Sequence, residues 1–247
     1  MNERRSVIVT GGASGIGKAC VDGLVADGWA VTIADRNPEG EAQAAAIRAA
    51  GGAAQFVATD VSRDEDVRTL VKAATDAYGQ LHAAINCAGI VGVSKPLHEI
   101  TPEEYDRIIA INLRGMFLCL RHQIAAMLPY KDGAIVAVSS AAALKGLPWS
   151  SDYCSSKAGI DGLVRGAAMD YAEHNLRINA ILPGATITPM AMSSTNANPA
   201  LAKTRTRPME RMADPSEIAA AAIFLVGKGG SFVTGISMPV DGGMVIA

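Results

Sequence analysis

Short apolar runs alternate with stretches of helical periodicity along the chain. Ser6-Val-Ile-Val-Thr10 precedes a helix pattern from about Gly15 to Asp27, and Ala30-Val-Thr-Ile-Ala34 precedes one from Pro38 to Ala50. Strands separated by helices pair in parallel, because a parallel neighbour needs a long crossover. The alternation continues with Ala54-Gln-Phe-Val-Ala58, a helix started by Ser62 with Glu65 three residues on, Leu81 to Asn86, and a long helix opened by Thr101-Pro102-Glu103-Glu104. Both starts carry the spacing of a capping box, in which a hydroxyl and a carboxylate satisfy each other's free N–H groups. Gly133 to Ser139, Arg177 to Leu182 and Ile236 to Val240 read as strands, and Ser151 to about Asn175 and Pro215 to Val226 as helices. The strands are runs of Val, Ile and Ala without strict alternation, as expected when both sheet faces are covered. These patterns predict a doubly wound, three-layer α/β fold with a seven-stranded parallel sheet and right-handed crossovers.

No linker-like stretch or composition shift divides the 247 residues, so a single domain over 1–247 is expected. Met190 to Met212 interrupts the pattern with Asn, Pro, Thr and Arg, and is predicted to form a flap over a site. Hydrophobic residues at 49% and charged residues at 19% place the chain among ordinary globular proteins. A net charge of −2 gives no general attraction to nucleic acid or to anionic membranes. The apolar run Val7 to Val9 is stopped by Thr10-Gly11-Gly12, and Ile218 to Val226 falls well short of the roughly 20 residues of a membrane span. Cys20, Cys87, Cys119 and Cys154 show neither metal-ligand spacing nor a disulfide framework, so no metal is expected and the thiols read as reduced, in a cytoplasmic protein.

Chemistry enters at the first strand-to-helix turn, Thr10-Gly11-Gly12-Ala13-Ser14-Gly15-Ile16-Gly17. Free N–H groups and the helix dipole attract an anion there, and glycines let backbone approach a pyrophosphate. Gly12 through Lys18 also satisfies the glycine and lysine spacing of an NTPase phosphate loop, but Ala19 stands where that loop needs a hydroxyl for Mg²⁺. Asp35 ends the second strand where an acid accepts hydrogen bonds from an adenosine ribose and repels a 2′-phosphate. That favours NAD(H) over NADP(H), with the adjacent Arg36 as the counter-argument.

Tyr153 and Lys157 stand four apart in a helical segment and share a face. A nearby ammonium stabilises phenolate, so lysine has a chemical reason to accompany an acid/base tyrosine; the spacing alone equally fits a solvated helix face. Together with Thr10-Gly11-x-x-x-Gly15-x-Gly17, Asp60-Val61, Asn86-Cys87-Ala88-Gly89, Asn112, Ser139-Ser140, Arg177-Ile-Asn179-Ala, Pro183-Gly184 with Thr188, and Asp241-Gly242-Gly243, the pair resembles the short-chain dehydrogenase/reductase family over essentially the whole chain. Cys87 departs from the usual Asn or Ala there.

That resemblance implies a Rossmann fold, a homotetramer and a catalytic set. Tyr153 would exchange a proton with the substrate oxygen as hydride moves, and Lys157 would lower the Tyr153 pKa and bind the nicotinamide ribose. Ser140 would polarise the substrate oxygen, with Ser139 as its substitute, and Asn112 would hold a water relaying protons to Lys157. Gly11, Ser14, Gly15, Ile16, Gly17, Asp35, Asp60, Val61, Asn86, Ala88, Gly89, Tyr153, Lys157, Pro183, Gly184, Ile187 and Thr188 would hold the cofactor, and Asn179 would support the sheet. Loops at the carboxyl ends of the strands offer Val91, Val93, Leu147, Trp149, Met190 and Met192 as an apolar substrate wall. A fairly apolar ketone or secondary alcohol fits it. Lys203, Arg205 and Arg207 could instead close over an anionic substrate, and a 3-oxoacyl-(acyl-carrier-protein) reductase activity or a non-catalytic NAD sensor are the alternatives. Ala158, Ile160, Leu163, Val164, Ala167 and Ala168 form a small apolar helix face that could join a second copy or the chain's own core.

Overall fold

The computed structural model describes residues 4–198 and 208–247. Seven strands, β1 Ser6–Thr10, β2 Ala30–Asp35, β3 Ala53–Ala58, β4 Ala83–Asn86, β5 Gly133–Val138, β6 Leu176–Pro183 and β7 Ser237–Val240, form one parallel sheet in the order β3-β2-β1-β4-β5-β6-β7. Around it lie α1 Gly15–Ala26, α2 Glu39–Ala49, α3 Asp64–Tyr78, α4 Pro102–Ile108, α5 Gly115–Met127, α6 Ser151–Tyr171, α7 Pro189–Ala197 and α8 Pro215–Val226. The predicted doubly wound class is the observed one. Strand order reverses between β1 and β4, and the reversal opens a crevice beyond their carboxyl ends.

Side chains alternate along a strand, so β1 feeds two cores. Val7 and Val9 pack with Cys20, Val21 and Leu24 of α1 and with Ile218 and Ala222 of α8. Ile8 points the other way, into Leu70 of α3, Leu120 and Met127 of α5, and Ile160 and Val164 of α6. In-register neighbours Val9↔Ile33 and Val9↔Ile85 continue one face across three strands. Arg177 fastens the far edge by donating from Nη1 to the carbonyls of Leu225 at 2.5 Å and Gly230 at 2.6 Å, at the end of α8 where acceptors outlast their helical partners.

Several local readings need correction. Ser62 does not cap α3: its N–H and hydroxyl donate to Asp60 Oδ1 at 3.0 and 2.6 Å, and Arg63 occupies the cap position without a side-chain bond. The Thr101 box does form, with Glu104 N–H donating to the hydroxyl at 3.3 Å and Thr101 N–H to the carboxylate at 3.0 Å. The long helix is not uniform, since Ile109–Arg114 forms a π-helix between α4 and α5. Part of the expected flap is the helix α7, started by Thr188, whose hydroxyl accepts from Ala191 N–H at 3.1 Å, and by Pro189. Threonine before proline is a start signal that the weak periodicity beyond it obscures. Lys203, Arg205 and Arg207 lie outside the described residues. Ile160, Val164 and Ala168 are buried in the chain's own core, so that face of α6 is spent within the molecule.

Candidate active site

The turn after β1 is built by close approach. Gly11 adopts φ +67°, and a Cβ there would sit 2.8 Å from Ala88 N. A Cβ on Gly17 would sit 2.1 Å from the Gly11 carbonyl oxygen. The turn delivers α1 with Ser14 at its cap and no side-chain cap bond, so its first N–H groups stay open for an anion. They border a cleft of about 420 Å³ that Gly11, Ser14, Gly15, Ile16, Gly17, Asp35, Asp60, Val61, Ala88, Gly89, Pro183, Gly184 and Thr188 also line. These residues fit a dinucleotide: the open N–H groups suit its pyrophosphate and Asp35 its ribose.

Asp35 is held in place by main chain, accepting from Ala13 N–H at 3.1 Å and from Asn37 N–H at 2.9 Å. Arg36 also lines the cleft, exposed, with Nε 3.7 Å from Asp60 Oδ2. The Ser62 hydroxyl, more than this guanidinium, holds the Asp60 carboxyl below its usual range against the opposing effect of burial. Asn86 stands apart from the other expected cofactor residues. It is buried in a reciprocal amide pair with Gln123, at 2.8 and 2.9 Å, and does not reach the cleft. Ile187 is exposed and off the cleft wall as well.

At the other end of the cleft, β5 delivers Ser139 and Ser140 and α6 delivers Tyr153 and Lys157. The nearby Ser140 hydroxyl opposes the burial that pushes the Tyr153 phenol above its usual 10. Lys157 is buried, its Nζ donates to the Val138 carbonyl at 2.9 Å, and it lies 5.7 Å from the Tyr153 ring centroid. Burial depresses this ammonium to about 8. The lowering of Tyr153 expected from Lys157 is thus absent from this arrangement, in which the ammonium is turned to a carbonyl. Ser139 is no substitute for Ser140, because its hydroxyl donates to the Lys157 carbonyl at 3.1 Å and braces the helix.

Asn112 sits in the π-helix, a frequent mark of functional positions. Its Oδ1 accepts from Ile90 N–H at 2.8 Å, and its Nδ2 donates to the Ile90 carbonyl at 2.9 Å and to Ser156 Oγ at 3.1 Å. Both amide protons are spent, so the side chain fixes the loop beside Lys157 and does not donate to a relay water. Asn179 supports the sheet as expected, donating to the Val233 carbonyl at 2.8 Å and accepting from Ile236 N–H at 3.2 Å. Cys87 lines the cleft with its thiol pushed well up by contact with Cys20 and by burial, which leaves it protonated and inert.

Of the expected substrate wall, Val91, Leu147 and Met190 line the cleft, and Val93 lines a chamber beside it. Trp149 and Met192 are exposed and face neither space. Met212 and Met244 complete the wall unforeseen. Met244 is brought in by the segment after β7, where Asp241 accepts from the N–H groups of Gly243 and Val245 at 2.9 and 2.8 Å and Lys145 donates to the Met244 carbonyl at 3.0 Å. No local pattern places residue 244 against residue 147, although Asp241-Gly242-Gly243 does signal the turn.

A nucleotide-binding crevice beside a Ser–Tyr–Lys set defines an oxidoreductase of the Rossmann type. The family pattern described as enoyl-(acyl carrier protein) reductase matches residues 11–245. Among curated relatives, 2,5-dichloro-2,5-cyclohexadiene-1,4-diol dehydrogenase of Sphingobium indicum is 40% identical over 97% of this chain and 96% of its own length. Levodione reductase of Leifsonia aquatica is 36% identical over 98% and 95%. Cyclohexanol dehydrogenase of an Acinetobacter species is 34% identical over 95% and 92%. The crystal structure of levodione reductase superposes with a TM-score of 0.94 at 35% identity, covering 98% of both chains. The chain belongs to the short-chain dehydrogenase/reductase family and is an oxidoreductase acting on CH–OH/C=O groups. None of its described helices is long and apolar enough to cross a membrane.

Proposed function

We propose that the chain interconverts a cyclic secondary alcohol and its ketone with NAD(H). The observation that carries this reading is the convergence of Ser140, Tyr153 and Lys157 on the cleft that the open end of α1 borders. The nicotinamide supplies or accepts the hydride. Ser140 donates to the substrate oxygen, Tyr153 gives that oxygen a proton in reduction and recovers it in oxidation, and Lys157 supplies the positive charge that favours phenolate. Val91, Leu147, Met190, Met212 and Met244 give the acceptor end an apolar, adaptable wall suited to a saturated ring, and two of the relatives named above, the cyclohexadienediol and cyclohexanol dehydrogenases, are named for ring compounds.

The coenzyme preference rests on Asp35, fixed by two N–H groups. An assay of cyclohexanone-sized ketones against a linear acetoacetyl thioester is expected to favour the rings. KM for NADPH should exceed that for NADH by at least ~10-fold, about 1.4 kcal/mol. Equal or lower KM for NADPH would overturn the preference for NAD(H), and a better rate with the thioester would overturn the ring substrate.

We infer further that the chain assembles as a homotetramer through the outer sides of α5 and α6, where Phe117 and Met169 are exposed and Gly162 and Gly166 have open space above them. Native mass spectrometry is expected to show the tetramer, and the mass of a single chain would contradict it.

A further inference from the structure

Lys157, Asp161 and Arg165 recur every four residues along α6, so they form one row on one side of the helix. The row runs inward. Arg165 is exposed, whereas Asp161 is 3% and Lys157 5% exposed. A carboxylate this buried is uncommon without a function or a partner, and no role assigned above uses it. Ser139, at the end of β5, bridges the region by donating to the Lys157 carbonyl at 3.1 Å, and its hydroxyl and that of Ser237 on β7 also face Asp161.

We propose that Asp161 is a positioning residue of the active site: a buried counter-charge, one helical turn behind Lys157, that keeps the lysine protonated where it must act on Tyr153. The inference rests on the catalytic reading of Tyr153 and Lys157 given above. Its physical need is plain. Lys157 is enclosed, its ammonium donates to a neutral carbonyl, and burial brings it to about 8, so its charge is barely secure at working pH. The titratable groups facing Lys157 are Tyr153 and Asp161 on its own helix and Cys87 at the end of β4; Asn112, from the π-helix, faces the same space but does not titrate. With the Cys87 thiol pushed up and protonated, Asp161 is the carboxylate that supports the lysine. Burial pushes the Asp161 carboxyl up from its ordinary value, and the Ser139 and Ser237 hydroxyls, Arg165 and Lys157 oppose that rise and favour the ionised form.

The sign of the effect follows from charge alone. Removing an anion near Lys157 makes its proton easier to lose, so the alkaline limb of the kcat/KM profile moves to lower pH. For wild type, that limb is expected near the Lys157 value of about 8. In Asp161→Asn, of nearly the same size, the limb should move down by about one pH unit, the lower end of what a close opposite charge contributes. Asp161→Glu should restore it, whereas a purely structural role would lower the melting temperature without moving the limb.

A folded Asp161→Asn enzyme whose limb superimposes on that of wild type would overturn the proposal. If that variant does not fold, an unmoved limb in a folded Asp161→Ser enzyme does so instead. Failure of the parent reading looks different, because Tyr153→Phe would then retain turnover whatever happens at Asp161.

Discussion

Tyr153→Phe is expected to lower kcat for ketone reduction by about 10³-fold, roughly 4 kcal/mol of transition-state stabilisation. The substitution removes one oxygen and leaves the ring where it packs. What disappears is the proton source at the substrate oxygen, beside the Ser140 hydroxyl. The structure sharpens this beyond the motif. Burial holds the phenol above 10 while Lys157 is turned to the Val138 carbonyl, so the tyrosine rests in its protonated, donor form. Reduction draws on that form directly, and oxidation requires the phenolate that the Lys157 charge favours. Coenzyme affinity should change little, because the open N–H groups of α1 and Asp35 lie at the other end of the cleft. Steady-state kinetics beside a fluorescence titration of NADH separates the two quantities, and a mutant with wild-type turnover would dismiss the mechanism.

The second large effect is expected at Gly17. Its backbone angles are ordinary, so the demand for glycine comes from distance: a Cβ would lie 2.1 Å from the Gly11 carbonyl oxygen and 2.7 Å from its carbon. Neither can yield as a side-chain tip could, since Gly11 is itself pressed against the backbone of Ala88 at the end of β4. Gly17→Ala must therefore open the β1–α1 turn. Forced overpacking of this kind costs about 3 kcal/mol, and a chain of this size loses roughly 2–4 °C in Tm per kcal/mol. Calorimetry should show a drop of roughly 6–12 °C, and NADH binding should weaken by more than ~10-fold because the displaced N–H groups no longer converge. An unshifted Tm with unchanged NADH affinity would mean that the turn has slack.

Much of this site was legible in the sequence, and the reason is that its chemistry is local. A phosphate turn is a few consecutive residues, Asp35 ends the strand that follows, and Tyr153 and Lys157 share one helix. The misreadings share a cause too. Asn86 matches the family motif that implies a cofactor contact, yet its amide meets Gln123, 37 residues away on α5. Ser62 looked like a helix cap until Asp60 took its hydroxyl. Trp149 and Met192 lie in the right segments but face outward, since position in a loop does not fix where a side chain points.

Hydrophobic period, turn glycines and capping residues thus determined by themselves the doubly wound sheet and a strand-to-helix turn open to an anion, because each is encoded within one turn or one element, whereas the Tyr153–Lys157 spacing alone equally fits a solvated helix face. Tertiary structure alone decided which groups were left free to act. It spent Asn86 on Gln123, and it used both amide protons of Asn112 on Ile90 and Ser156. Met244 entered the pocket across the whole length of the chain, and Asp161 was enclosed behind Lys157. Those outcomes depend on desolvation and on competition for hydrogen-bond partners, which exist only once distant segments have closed around the same cleft.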